Sequence, residues 1–173
     1  MTRRPSGPLA GLRVLEITQI MSGPTCGLLL ADLGADVIKI EKTQGGDDAR
    51  GYRDPQVGGV SGPFMMMNRN KRCLALDLKS AQGRALLLRM VKQADVLVEN
   101  FRGGTMDKLG LGYEVLKAQN PGLIYCAITG YGRSGPYADK GGFDLIAQGF
   151  AGLMSITGEP GRPPVKSGSA VSD

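Results

Sequence analysis

The chain has no histidine and no tryptophan among its 173 residues, and its few aromatics make up 5%. Without imidazole, Ser-His-Asp and Cys-His catalysis, His-ligated metals and histidine acid–base chemistry are excluded within the chain, and carboxylates become the leading candidates for chemistry. Cys26, Cys73 and Cys126 are odd in number and widely spaced, so they form neither a disulfide framework nor a paired zinc motif. They are expected to be reduced, buried thiols. No run approaches the roughly 20 apolar residues of a membrane span, and no apolar stretch follows Arg3 and Arg4 through Pro5 to Gly11. Cytoplasmic placement is the expectation. Neither a G-x-G-x-x-G after a strand nor a G-x-x-x-x-G-K-[ST] occurs, so the usual dinucleotide and P-loop fingerprints are missing.

What is present fits one ordinary domain: 42% hydrophobic and 21% charged residues suffice for a packed core. Glycine, at 27 residues, is about twice its usual share, which implies many tight turns and close backbone approaches. The net charge of +5 is dispersed and lacks interleaved aromatics, which weighs against nucleic acid and suits a phosphate-bearing small molecule.

Along the chain, strand and helix patterns alternate. Arg13 to Ile17 reads as a strand, Thr18 to Gly23 as a loop, and Pro24 to Leu33 as a helix stopped by Gly34. Asp36 to Ile40 is a second strand, completing a right-handed βαβ unit with parallel strands. Glu41 to Pro63 is polar, Gly- and Asp-rich and aperiodic, which predicts a long excursion without a packed element. Cys73 to Leu78 alternates as a strand, a helix runs from Ser80 through Gln93, and Asp95 to Glu99 is the next strand. A helix near Tyr113 to Gln119, a strand Leu123 to Ile128 and helical spacing over Phe143 to Met154 follow, before an extended Pro/Gly-rich tail from Gly158. No domain boundary stands out. The order predicts an α/β fold with a Rossmann-like, doubly wound, mostly parallel sheet and ligands at the carboxyl ends of its strands.

Several separated motifs resemble those of the family III CoA-transferases, which include formyl-CoA transferase, carnitine CoA-transferase and the 2-methylacyl-CoA racemases. They are Pro8 to Leu15, Ser22-Gly23-Pro24, Leu33 to Glu41, Asn68 to Arg72, Val98 to Phe101, Ile128 to Gly132, Met154 to Gly158 and the terminal Val171-Ser172-Asp173. The resemblance implies an enzyme more than twice this length, with a Rossmann-like large domain, a smaller domain and two chains interlinked as a homodimer. This chain would then be the N-terminal part of the large CoA-binding domain, and inactive alone.

The resemblance also implies the chemistry. Asp173 would be the nucleophile, passing coenzyme A from an acyl-CoA donor to a carboxylic-acid acceptor through a mixed anhydride and an aspartyl-CoA thioester, without metal. CoA would contact Met21 and Ser22, Lys42, Leu76 to Lys79, Asn100, Phe101 and Arg102, Lys108 and Gly141, with lysine and arginine on its phosphates. Lys42 stands where relatives commonly carry arginine, which keeps charge but loses the bidentate fork. The alternatives are a racemase and a non-catalytic CoA-binding module. Gly142-Phe143-Asp144 disfavours the racemase, whose members read Gly-His-Asp there and use the histidine as a base.

Overall fold

The computed structural model describes residues 6–173, so Arg3, Arg4 and Pro5 lie outside the described residues. The βαβ opening forms as expected: β1 (Arg13–Ile17), α1 (Ser22–Asp32) and β2 (Asp36–Glu41). Helix α1 starts two residues before Pro24, which sits in its first turn, where a missing N–H removes no intrahelical bond. Gly34, at φ +101°, ends it, and the Gly34 Cβ position would collide with the Ser6 backbone.

The aperiodic segment after β2 is more structured than expected. It makes a 3-10 turn at Asp48–Gly51, a small antiparallel pair of β3 (Gln56–Val57) and β4 (Val60–Ser61), and a helix α2 (Gly62–Asn68). Ser61 caps α2 by accepting the Phe64 N–H at 3.3 Å, and Pro63 lies in the first turn. Seven residues are too few for an apolar period to stand out.

β5 (Arg72–Ala75) is shorter than the alternation implies, its last tie to β2 being the Leu76 N–H donating to the Glu41 carbonyl at 2.8 Å. α3 (Ala81–Val91) follows, with the Ser80 hydroxyl accepting the Gly83 N–H at 3.0 Å, and then β6 (Val96–Glu99). A single-turn helix α4 (Thr105–Lys108) was not foreseen; α5 (Tyr113–Gln119) falls at the expected residues. β7 (Ile124–Ala127) closes the sheet. The five main strands are all parallel, in the order β5-β2-β1-β6-β7. This is the doubly wound arrangement, and the strand order reverses at the β1/β6 boundary.

Both faces of the sheet are covered. Leu15, Ile17, Ile40 and Leu97 meet Leu87, Val91 and Leu116 of α3 and α5, while Val14, Val37 and Val98 pack with Ala31 of α1. Strand side chains alternate between faces, so Glu16 and Lys39 share the α1 face with Val14 and Val37. The chain divides into two compact units, one ending at Ile128 and one spanning Thr129–Asp173. The second holds α6 (Asp144–Phe150) and a 3-10 turn at Leu153–Ile156, in place of one helix through Met154. Gly152, at φ +81°, makes that break. The three thiols are free, with Cys73 exposed and Cys26 and Cys126 half-buried, so the expectation of buried thiols fails most clearly at Cys73, which lies on the sheet's edge strand.

Candidate functional site

The carboxyl ends of β1 and β6 meet at the topological switch point, where an open α/β sheet offers a crevice. After β1 the backbone turns sharply: Ile20 takes φ +69°, which a β-branched residue rarely adopts. Two side chains hold this turn from opposite sides. Asn100, just past β6, accepts the Gln19 N–H at 2.9 Å and donates to the Gln19 carbonyl at 2.8 Å and the Ser22 hydroxyl at 3.2 Å. Asp47, in the loop after β2, accepts the Ile20 N–H at 3.0 Å.

Beneath the turn lies a cluster of wholly buried charges. Lys39 Nζ contacts Glu16 Oε1 at 3.0 Å, Asp47 Oδ2 at 2.9 Å and the Thr18 carbonyl at 3.0 Å. Lys71 Nζ reaches the other Glu16 oxygen at 2.8 Å, along with the Pro24 carbonyl and Asn68 Oδ1. Two ammonium groups thus balance two carboxylates. Burial pushes the Lys71 pKa down, against the attraction of Glu16. Gly27 allows α1 to lie over Glu16, because a Cβ there would collide with the carboxylate.

A second ion pair ties the loop to β2. Arg50 grips Glu41 with two bonds of 2.7 Å and lies 3.8 Å over the Phe64 ring, while the Asp47 N–H donates to Glu41 Oε2 at 2.8 Å. Burial is the largest single influence on Glu41 and opposes its charge. The Arg50 and Asp47 hydrogen bonds outweigh it together, and its pKa falls to about 2.

Above this framework is a cleft of about 620 Å³, within the range of small-molecule sites. Leu76, Leu78, Phe101 and Leu109 give it apolar walls; Lys42 and Lys79 bring positive charge to it. Of the residues expected at the cofactor, Lys42, Leu76, Lys79 and Phe101 line the cleft. Lys42 is exposed and ion-paired with Asp48. Met21 and Ser22 stand at the start of α1, and Asn100 holds the neighbouring turn. Arg102 and Lys108 are exposed on the segment after β6 and do not line the cleft, although Thr105 and Leu109 beside them do.

Gly141 and Asp173 belong to the second unit. There the Gly130 and Gly142 backbones approach so closely that a Cβ on either would collide with the other, which fixes the chain entering α6. The Asp173 carboxylate accepts the Asp144 N–H at 3.2 Å, and the Ser172 N–H donates to Asp144 Oδ1 at 2.9 Å. Asp173 is exposed, and its carboxylate lies at the start of α6. Gln148, fully buried, donates to Asp144 at 2.6 Å and accepts the Ser167 N–H at 2.8 Å, bracing the tail.

Sequence reasoning missed Glu16, Lys39, Asp47 and Lys71. A signal existed for two of them. Central strands of a doubly wound sheet are buried on both faces, so a glutamate and a lysine in RVLEI and DVIKI need each other, and the parallel register sets Glu16 opposite Lys39. Gly23 is buried against Thr18, so a bulky residue there would damage the β1–α1 packing itself.

The model of CoA-transferase family III matches residues 9–173. A succinate–glutarate CoA-transferase of Agrobacterium fabrum is 49% identical over 99% of this chain and 44% of its own length. The human succinyl-CoA:glutarate CoA-transferase is 40% identical over 96% of this chain and 38% of its own. Among solved structures, a CAIB/BAIF family protein from Brucella suis superposes with a TM-score of 0.90 at 49% identity, covering 95% of this chain and 44% of that one. The chain therefore spans less than half the length of these relatives.

Proposed function

The chain belongs to CoA-transferase family III, and on that footing we propose that the protein, at its relatives' full length, moves coenzyme A between carboxylic acids. The observation that carries the reading is the cleft at the carboxyl ends of the sheet's strands, with lysines at its mouth and apolar walls within. A phosphate-bearing ligand with a long, partly apolar arm suits such a site. Lys42 and Lys79 would pair with phosphates, and Leu76 and Phe101 would pack against the adenine or pantetheine portions. Met21, Ser22, Asn100, Arg102, Lys108 and Gly141 complete the proposed CoA set, and the interlinked homodimer and cytoplasmic setting belong to the same proposal.

Asp173 is the proposed nucleophile. Its carboxylate oxygen attacks the thioester carbonyl, the C–S bond breaks, and CoA leaves as thiolate with the electron pair, giving a mixed anhydride. The thiolate then attacks the aspartyl carbonyl, releasing the donor as a free carboxylate and leaving an aspartyl-CoA thioester. An acceptor carboxylate reverses both steps and takes the CoA. No proton need be transferred, in keeping with a chain that has no histidine. A dicarboxylyl donor such as succinyl-CoA is proposed from the relatives' names.

The second reading, a 2-methylacyl-CoA racemase, needs a base where Phe143 stands, and that ring cannot accept a proton. Full-length protein is tested with a panel of acyl-CoA donors and free acids, with hydroxylamine trapping during turnover and with a chiral 2-methylacyl-CoA in deuterated water. Transfer with Asp173 modified by hydroxylamine, and no α-proton exchange, is the expected result. Undiminished transfer by Asp173→Ala would remove the nucleophile assignment. Exchange at a catalytic rate would favour the racemase, and CoA binding with neither activity a binding module.

A further inference from the structure

We propose that Asp47 is a positioning residue for the CoA cleft: it couples the buried charge cluster under the sheet's carboxyl edge to the Ile20 amide, and so fixes the Gln19 side of the cleft. The inference rests on the reading of this cleft as the CoA site.

Asp47 follows an exposed, glycine-containing stretch, yet is only 1% exposed itself. A carboxylate withdrawn from water to that degree needs partners for both oxygens. One oxygen faces Lys39 Nζ at 2.9 Å; the other accepts from Ile20 N–H at 3.0 Å and from Ala49 N–H at 2.9 Å. The Asp47 backbone is anchored in turn, because its N–H donates to Glu41, which Arg50 holds. Asp47 is therefore fixed from three directions before it meets the β1 turn.

The turn has a reason to need that hold. At φ +69° Ile20 suffers a clash that its branched Cβ worsens, so without a partner for its N–H the peptide is left with one hold, at its carbonyl, against a pull toward negative φ. The peptide that would rotate joins Ile20 to Gln19, and Gln19 lines the cleft together with Asp47. Asn100 fixes Gln19 through the N–H on its other side and through its carbonyl. Asp47 holds the N–H end of the same peptide whose carbonyl Asn100 holds, so the two together fix its orientation. Asp47 touches no reacting atom in this scheme, so it should act on CoA affinity and leave the acyl-transfer steps at Asp173 unaltered once CoA is saturating.

Two pairs of variants in the full-length protein test this, with CoA titration, steady-state kinetics and thermal melts on each. Lys39→Met/Asp47→Asn and Lys39→Met/Asp47→Ala both remove one balanced pair and leave Glu16 with Lys71, but only the second removes the acceptor for Ile20. The second should bind CoA about tenfold more weakly than the first, as expected for losing one well-aligned hydrogen bond at a site of strain. KM for acyl-CoA should rise in parallel, with kcat within about twofold.

The other pair leaves the charge cluster intact and so guards against misfolding. Ile20→Pro removes the N–H and forbids positive φ, whereas Ile20→Gly keeps the N–H and relieves the clash. Ile20→Pro should show the same rise in KM relative to Ile20→Gly, with a lower melting temperature that stays well above that of the assay. Equal CoA affinity within each pair would overturn the positioning role and leave Asp47 as a support of the fold. An unaltered protein that binds no CoA would instead remove the reading of the cleft, and this inference with it.

Discussion

The two compact units hold their candidate chemical groups in opposite ways. In the first, the turn after β1 rests on four buried charged side chains and is tied by Asn100 and Asp47, so the cleft wall is set by groups that water does not reach. In the second, Asp173 is exposed and meets the start of a seven-residue helix through a backbone N–H, with Gln148 as the principal buried polar brace. A binding surface gains from rigidity, because an ordered site loses less freedom when its ligand arrives. A nucleophilic carboxylate gains from access and from staying ionised. The difference teaches that preorganisation in this chain is concentrated under the cleft.

Breaking each unit at its buried polar centre gives the largest contrast. Lys39→Met leaves Asp47 without its ion pair while Glu16 keeps Lys71, and removing one partner of such a buried group costs about 3–5 kcal/mol. Gln148→Ala frees the Asp144 carboxylate and the Ser167 N–H of one bond each, and should cost about 1–2 kcal/mol. Urea unfolding with amide exchange read separately over the two units checks this. The first variant should loosen β1 and β2, and the second the Gly158 to Asp173 tail. Equal loss in both would show that the charge cluster is no stiffer than the Gln148 brace.

The order of these effects follows from charge, since Lys39 and Gln148 are both fully buried; burial is what decided how much was legible beforehand. The parallel sheet and its β1, β2 and β6 strands could be read because short β-rich runs stand between turn signals, and the α5 helix because Gly112 and Asn120-Pro121-Gly122 bound it. Helix α2 was hidden because Pro63 and the preceding glycines look like loop punctuation, while its cap at Ser61 depends on a hydroxyl that sequence does not orient. At the site, Lys42, Leu76, Lys79 and Phe101 were named through the family resemblance and lie together in the cleft. Asp47 could not be named, because an aspartate after Gly45 and Gly46 reads as a turn residue. Only the fold carries it beneath the sheet edge to meet Lys39, eight positions earlier.

Acid should separate the units less strongly than mutation. Glu41 has a pKa near 2 in the folded chain against an ordinary value of 4.5. Its pairing with Arg50 therefore stabilises the fold fully above about pH 4.5 and loses that contribution as pH falls toward about 2. Melting temperature should drop across this window, and Glu41→Gln, already less stable at neutral pH, should show a shallower acid slope. An unchanged slope in the variant would assign the acid sensitivity to other carboxylates.

The smallest expected effect lies at the mouth of the cleft, where Lys42 pairs with Asp48. Both side chains are about half exposed, at 48% and 57%, so solvent screens their attraction and the pair adds little to stability. Asp48→Asn should change the unfolding free energy by less than about 0.5 kcal/mol. Its effect on ligand binding has the opposite sign and a different origin. Asp48 holds the ammonium that a CoA phosphate would use and adds a negative charge beside the incoming anion, so neutralising it should tighten CoA binding by about two- to threefold at low salt. Because the gain is a surface Coulomb effect, it should shrink as ionic strength rises through about 0.15 M toward 1 M, where the screening length falls from about 8 Å to 3 Å. CoA titrations of parent and variant across that salt range give the comparison. An affinity that does not respond to the substitution at any salt would mean that Lys42 does not meet a phosphate, and would leave Lys79 as the cation of the cleft.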